Sequence, residues 1–178
     1  MKPCFLQVFF LKRDIFMINM KEKLKEFKVK GIALDEDSQM PFIILQDVRR
    51  ENVLPIDIGP FEASAIIVEM EGVHVPMPLT HDLISQFFKR HKFHLKYVEI
   101  YGVANNSYLA RLHYKRGINS YTMEVRPSDG IALAIRLGSP IYIQNWIIQK
   151  MLNEPYILER VDSKSHEILY LGAQSTSL

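Results

Sequence analysis

From Glu124 to Pro140 the chain reads Glu-Val-Arg-Pro-Ser-Asp-Gly-Ile-Ala-Leu-Ala-Ile-Arg-Leu-Gly-Ser-Pro, a stretch that few backbone paths can accommodate. A strand runs into Arg126, Pro127 keeps the residue before it extended, and Ser128 is placed to cap a short helix. Asp129 falls in the first helical turn, where a carboxylate complements the helix dipole. Ile131, Leu133, Ala134, Ile135 and Leu137 make the helix apolar over most of its girth, which predicts burial. Gly138 supplies a left-handed terminus and Pro140 prevents continuation. Arg126, Ser128 and Asp129 thus gather at a strand-to-helix junction, where outward N–H groups favour anions. A capping and ion-pair cluster that only fixes the turn explains the same residues.

Ahead of this junction the pattern is mostly that of strands. Phe27, Val29, Ile32 and Leu34 lead through the turn Asp35-Glu36-Asp37-Ser38 into Pro41–Leu45, a predicted hairpin, and Val53–Ile58 makes a third strand. Gly59-Pro60 opens a helix, with proline in its tolerated first position, and Phe61, Ala65, Ile66, Val68 and Met70 supply its apolar face. A second helix follows Pro78-Leu79, with Thr80 as the predicted cap, Asp82 in its first turn, and Leu83, Ile84, Phe87 and Phe88 spaced to pack inward. Three more strands are predicted near 95–103, 108–115 and 120–126.

After the central helix, Ile141–Ile143 reads as a short strand and Trp146–Leu152 as a short helix. Tyr156–Val161 and Glu167–Leu171 read as a terminal hairpin. Three strands followed by a helix therefore occur twice. Gly59–Ile66 can be laid on Ser128–Ile135 with alanines at matching offsets. The expectation is an α+β fold of two similar βββα lobes, an internal duplication around a shared core, with a short C-terminal helix and hairpin. Residues 1–26 read as an N-terminal arm or overlong start, 27–152 as the domain, and 153–178 as an extension.

The length of 178 residues suits one such domain, and an apolar fraction of 48% suffices for its core. A formal charge of +2 announces no partner by itself, although Lys89–Lys96 is strongly basic. Cys4 is the only cysteine, so an intrachain disulfide and a cysteine-cluster metal site are excluded, in keeping with a reducing cytoplasm. Lys12-Arg13-Asp14 ends the apolar start too early for a signal peptide. No segment approaches the roughly 18 apolar residues that a membrane span needs. The expectation is a soluble, cytoplasmic protein.

No phosphate-binding loop, dinucleotide fingerprint or nucleophile elbow occurs in the sequence. Carboxylates and an imidazole recur at helix starts instead: Glu62, the pair His81-Asp82, and Asp129 beside Arg126. Hydrolysis of a phosphodiester with a divalent ion needs oxygen or nitrogen ligands and a cation near the phosphate, and these are the right types. Helix-dipole complementation accounts for the same placement. A second candidate surface is one face of a predicted strand, where Arg111, His113 and Lys115 alternate. Tyr97 and Tyr101 on a neighbouring strand could stack bases beside them; an ordinary solvated face is the plainer explanation.

Three stretches together resemble the bifunctional nuclease domain family: Leu54–Ala63, Pro78–Ile84 and Arg126–Ala134. Their order and spacing fit, and the resemblance covers about 28–150. It implies an α+β fold, a homodimer, nucleic acid as partner, and nuclease activity of broad specificity on RNA and DNA. Carried over by position, Glu62, His81, Asp82 and Asp129 would be catalytic, and Arg126 and Ser128 would bind substrate. A divalent cation, Mg or Mn, would find its ligands among Glu62, Asp82, Glu124 and Asp129. The chain departs from the family pattern at Met77, where an arginine is common, and at Asp57, Glu124 and Gly130. The alternative reading is a non-catalytic dimeric module that binds an anionic ligand or a protein partner.

Overall fold

A continuous apolar run at Phe42-Ile43-Ile44-Leu45 can only be satisfied where both faces of a strand are covered, and that is where the chain puts it. All four side chains are buried, Ile43 and Leu45 in the main core and Phe42 and Ile44 in a smaller cluster with Ala33. The computed structural model describes residues 23–35, 37–105 and 107–152, together with the backbone of 167–171. These form a mixed α+β fold. The strands are β1 (Leu24–Leu34), β2 (Pro41–Asp47), β3 (Val53–Asp57), β4 (His94–Ala104), β5 (Ser107–Arg116), β6 (Asn119–Val125), β7 (Ile141–Gln144) and β8 (Glu167–Leu171). The helices are α1 (Pro60–Met70), α2 (Thr80–Arg90), α3 (Pro127–Leu137) and α4 (Asn145–Leu152).

The main sheet runs β3-β2-β1-β7-β4-β5-β6, with β8 paired to β1 beside β7. Two antiparallel meanders, β1-β2-β3 and β4-β5-β6, flank β7, which is antiparallel to β1 and parallel to β4. Each meander ends at an outer edge and sends a helix back over the sheet. α1 returns from β3, α3 returns from β6 to reach β7, and the two helices pack on each other. Gly130 allows the close approach of α3 to the sheet, because a Cβ there would stand 2.9 Å from Cγ1 of Val98. Ile131, Ala132, Leu133 and Ala134 are buried as the sequence predicts.

Several local expectations need correction. β1 begins at Leu24 and pairs Leu24–Phe27 with β7, so part of the supposed arm is sheet. Phe61 is 89% exposed, and Leu83 and Phe87 stand 62% and 52% exposed, although helical periodicity assigned all three to the core. α1 buries Ala63, Ala65 and Ile66 instead, and α2 buries Ser85 and Phe88. β8 is a strand as expected; its supposed hairpin partner Tyr156–Val161 lies outside the described residues, as does Cys4. Among the described residues no helix is long and apolar enough to cross a membrane.

Candidate active site at the helix starts

Pro127 occupies the first position of α3, so the residue before it, Arg126, is the N-cap, extended at φ −65° and ψ 146°. Ser128 is therefore already inside the helix, where it is buried and makes no capping bond, contrary to the sequence expectation. The Arg126 guanidinium folds over the helix start. Nε and Nη2 donate to Oδ2 and Oδ1 of Asp129 at 2.9 and 3.1 Å, a two-pronged contact that fixes both planes. Nη1 donates to Oε1 of Glu62, in the first turn of α1, at 2.8 Å. Nε2 of His81 lies 3.1 Å from Oδ1 of Asp129. Three helix starts, far apart in sequence, thus contribute one connected set: Glu62, Arg126, Asp129 and His81.

Glu62 is held there by its own turn. Its carboxylate lies over Gly59, where an added Cβ would run into Oε2, so the N-cap of α1 must be bare. α2 also departs from expectation. Its N-cap is Leu79, not Thr80, and the Leu79 N–H donates to Oδ2 of Asp82 at 2.8 Å. The other oxygen of Asp82 accepts from Nε of Arg136 at 2.5 Å. The Arg136 side chain is 2% exposed and also donates to the carbonyls of Ala65 and Ala132. Asp82 is thus directed to the interior, away from its neighbour His81.

The electrostatics follow from these contacts. Burial works against the charged form of Asp129, but donation from Arg126 and His81 outweighs it and holds the carboxyl below the usual range. Burial likewise opposes the charge on Asp82, and Arg136 with the Leu79 N–H reverses the balance. Both carboxyls titrate lower folded than unfolded, so their contribution to stability is present above the ordinary aspartate value of 3.8 and is lost as pH falls through the depressed folded values. The urea midpoint is expected to decline below that pH, and Asp82→Asn is expected to flatten the decline. A midpoint that falls equally steeply in the variant would refute the linkage.

A cleft of about 720 Å³ opens beside this set. Residues from opposite edges of the sheet line it, including Asp57 and Gly59 from the β3 side and Tyr108, Glu124 and Arg126 from the β5–β6 side, so the sheet curls to bring its edges together. Glu62, Arg126 and Ser128 border the cleft, whereas His81 and Asp129 lie behind Arg126. Glu124 is turned to Tyr101, whose hydroxyl donates to it at 2.8 Å. The four carboxylates proposed as metal ligands therefore do not gather. Glu62 and Asp129 face Arg126, Asp82 faces Arg136, and Glu124 faces Tyr101. Among the described residues no group of three His, Cys, Asp or Glu side chains is placed to hold a metal ion. The arrangement does not fit a shared divalent ion.

The Arg-His-Lys face of β5 is found as expected. Arg111 sits 4.6 Å from the Tyr101 ring centroid, and His113 stacks on Tyr97 at 4.2 Å. The residue that organises it was not singled out: Glu99, 4% exposed, accepts from Arg111 at 2.9 Å and from Gln144 at 2.7 Å, and lies 2.7 Å from Nε2 of His113. A lone carboxylate in the middle of an apolar strand, opposite Arg111 in register, is the signal that would have found it. Arg136 was also missed, and its signal is similar: a single cation in a helix otherwise apolar.

With the geometry established, comparison with known proteins is informative. A family model described as "Bifunctional nuclease domain" matches residues 43–154. The chain belongs to the bifunctional nuclease domain family. An "Uncharacterized protein" of Mycobacterium tuberculosis is 37% identical over 123 residues, which cover 69% of this chain and 73% of that one. "Bifunctional nuclease 2" of Oryza sativa subsp. japonica is 25% identical over 118 residues, 64% of this chain and 36% of the rice protein. "Bifunctional nuclease" of Oryza minuta is 21% identical over 98 residues, 53% of this chain and 30% of that protein. The family match takes in Glu62, His81, Asp82, Glu124, Arg126, Ser128 and Asp129, all the residues that the sequence nominated.

Proposed function

We propose that this chain is a nuclease that hydrolyses phosphodiester bonds in RNA and DNA at the junction of α1, α2 and α3. The observation that carries the reading is the linkage of Arg126 to Glu62, Asp129 and, through Asp129, His81 at the lip of the cleft. A guanidinium has five N–H donors and Arg126 uses three of them here, one each at Nε, Nη1 and Nη2. The other two face no acceptor among the described residues and suit a phosphate oxygen. The Arg126 side chain is 67% exposed, so substrate has access to it. The names of the rice relatives support the same chemistry. The two βββα units, read as a duplication, each lend the start of their helix to the site.

In this reading Arg126 holds the phosphate and stabilises the charge that grows on it. Asp129 holds His81 by Nε2 and leaves Nδ1 to accept a proton from water. Water attacks phosphorus, the bond to the leaving sugar oxygen breaks, and the proton passes to that oxygen. Glu62 orients Arg126. Asp82 and Ser128 hold the helices and touch no substrate. No step is routed through a metal ion, because the carboxylates are committed to arginines and a tyrosine.

The test is cleavage of labelled single-stranded RNA and DNA by purified protein, in Mg²⁺, in Mn²⁺ and in chelator, beside Arg126→Ala. Cleavage that persists in chelator and disappears in the variant is the expected result. Cleavage that requires an added ion would mean that Glu62 and Asp129 release Arg126 to take it. Absence of cleavage by folded protein would favour a binding module, a reading supported by the fact that every carboxylate of the set already has a cationic or hydroxyl partner. A second test uses Gly59. Its replacement by alanine displaces only the end of the flexible Glu62 side chain, so stability is expected to change by no more than about 1 kcal/mol. Cleavage by Gly59→Ala is expected to fall to the level of Glu62→Ala, and wild-type cleavage would show that the Glu62–Arg126 contact is dispensable.

A further inference from the structure

The two outer edges of the sheet are treated very differently. β3 is short, carries Pro55, and buries Leu54, Pro55 and Ile56. β6 at the opposite edge is longer, has no proline or lysine, and exposes six of its seven residues. Tyr121 and Met123 stand 42% and 48% exposed on it, and Ile118, in the turn that leads into it, is fully exposed. Edges of this kind are normally blunted by proline, lysine or a cover, because unpaired N–H and C=O groups recruit another strand. Beside it, α2 exposes Leu83 and Phe87. Phe93 joins the two surfaces, with its ring 6.1 Å from Phe87 and 6.5 Å from Tyr121. An apolar band therefore runs from the helix to the bare edge.

We propose that a second copy of this chain covers this edge, β6 against β6, antiparallel and centred on Thr122. The sequence Asn119-Ser120-Tyr121-Thr122-Met123-Glu124-Val125 complements itself in that register alone. Tyr121 faces the partner's Met123 twice on the helix side of the sheet, where Leu83 and Phe87 extend the apolar contact. Thr122 meets its own copy, a favourable cross-strand pair, and Ser120 meets Glu124. Charges agree as well. Lys115 is the cross-strand neighbour of Ser120, so on the second copy it lies two strands, about 10 Å, from Glu124 and reaches it over the small serine. A shift by one residue would set Tyr121 and Met123 on the opposite face from their counterparts.

The pairing has a consequence for the helix-start site. Val125 lies opposite the partner's Asn119, which puts the partner's Ile118 beside Arg126, near the exposed Phe61. The β5–β6 turn of one copy thus walls the site of the other. The two copies of Arg126 stand about 27 Å apart along the strands, eight residue steps at about 3.4 Å each. This last point rests on the nuclease reading; the pairing itself does not.

Covalent trapping tests it. In a Cys4→Ser background, Thr122→Cys is expected to give a disulfide-linked dimer under mild oxidation in most of the protein, because directly opposed residues lie within disulfide reach. Ser120→Cys mixed with Glu124→Cys is expected to trap the mixed pair, and neither alone to trap itself. Thr122→Lys, which sets two cations face to face, is expected to weaken the dimer at least tenfold by sedimentation velocity, with its circular dichroism unchanged. A protein that sediments as a monomer at about 50 µM would overturn the proposal. So would a dimer that survives Thr122→Lys and gives no crosslink in the Thr122→Cys variant. None of these readouts involves substrate, so loss of the dimer and loss of the nuclease reading are separable.

Discussion

Replacing Arg136 by alanine is expected to destabilise the fold by about 3–5 kcal/mol, the usual consequence of removing one partner from a buried ion pair. In a chain of this size each kcal/mol corresponds to about 2–4 °C, so the melting temperature should drop by roughly 6–20 °C. The size follows from what the side chain joins. Arg136 belongs to α3, donates to Asp82 on α2 and to the Ala65 carbonyl on α1, and is almost entirely buried. Its loss leaves the Asp82 carboxylate and a buried carbonyl without their donor. Arg136→Lys retains the charge but not the planar fork, so it should recover only part of the loss. Asp82→Asn, which keeps the acceptor for the Leu79 N–H, should cost less than Arg136→Ala. Thermal melts of the three proteins decide the matter. Equal melting temperatures for Arg136→Ala and wild type would show that the three helix starts are held by apolar packing alone.

The residues that the sequence read well are those whose constraint is local. Gly59-Pro60, Arg126-Pro127 and Gly138 act on their own dihedrals, so the starts of α1 and α3 and the end of α3 were legible without knowledge of the fold. The caps were read one or two residues too late. Proline at the first helical position makes its predecessor the cap, which the rule for Pro127 already implied, but a serine in view drew the assignment to Ser128. Phe61, Leu83 and Phe87 show the limit of periodicity. Spacing identifies a face, and only tertiary packing decides whether anything covers it. Glu99 and Arg136 were passed over because each is one charge among apolar neighbours. Their partners are Arg111, His113 and Gln144, and Asp82, on separate elements. The metal set failed for a related reason. Residue type nominated Glu62, Asp82, Glu124 and Asp129 correctly as candidates, but the ligand geometry depends on where each carboxylate turns, and each had a nearer partner.

The site itself is tested most sharply at Asp129. Asp129→Asn is expected to reduce cleavage of single-stranded RNA by about 10²–10⁴-fold, the range over which a positioned acid–base group contributes. The same substitution should scarcely alter stability, because the Arg126 side of the pair is largely in solvent and exposed ion pairs contribute about 0–1 kcal/mol. That contrast with Arg136→Ala separates the two ion pairs of α3: one holds the helices together, the other arms the site. Asparagine retains the acceptor for Arg126 but is neutral, so it neither fixes the His81 tautomer nor favours the imidazolium that forms when water is deprotonated. His81→Gln should therefore cost about as much as Asp129→Asn, and the double variant little more than either, since groups that act as a unit are not additive. Multiplicative losses would mean that His81 and Asp129 act separately. Unchanged cleavage in Asp129→Asn would remove the acid–base pair from the reaction and leave the junction as an anion-binding surface, with Arg126 its one functional group.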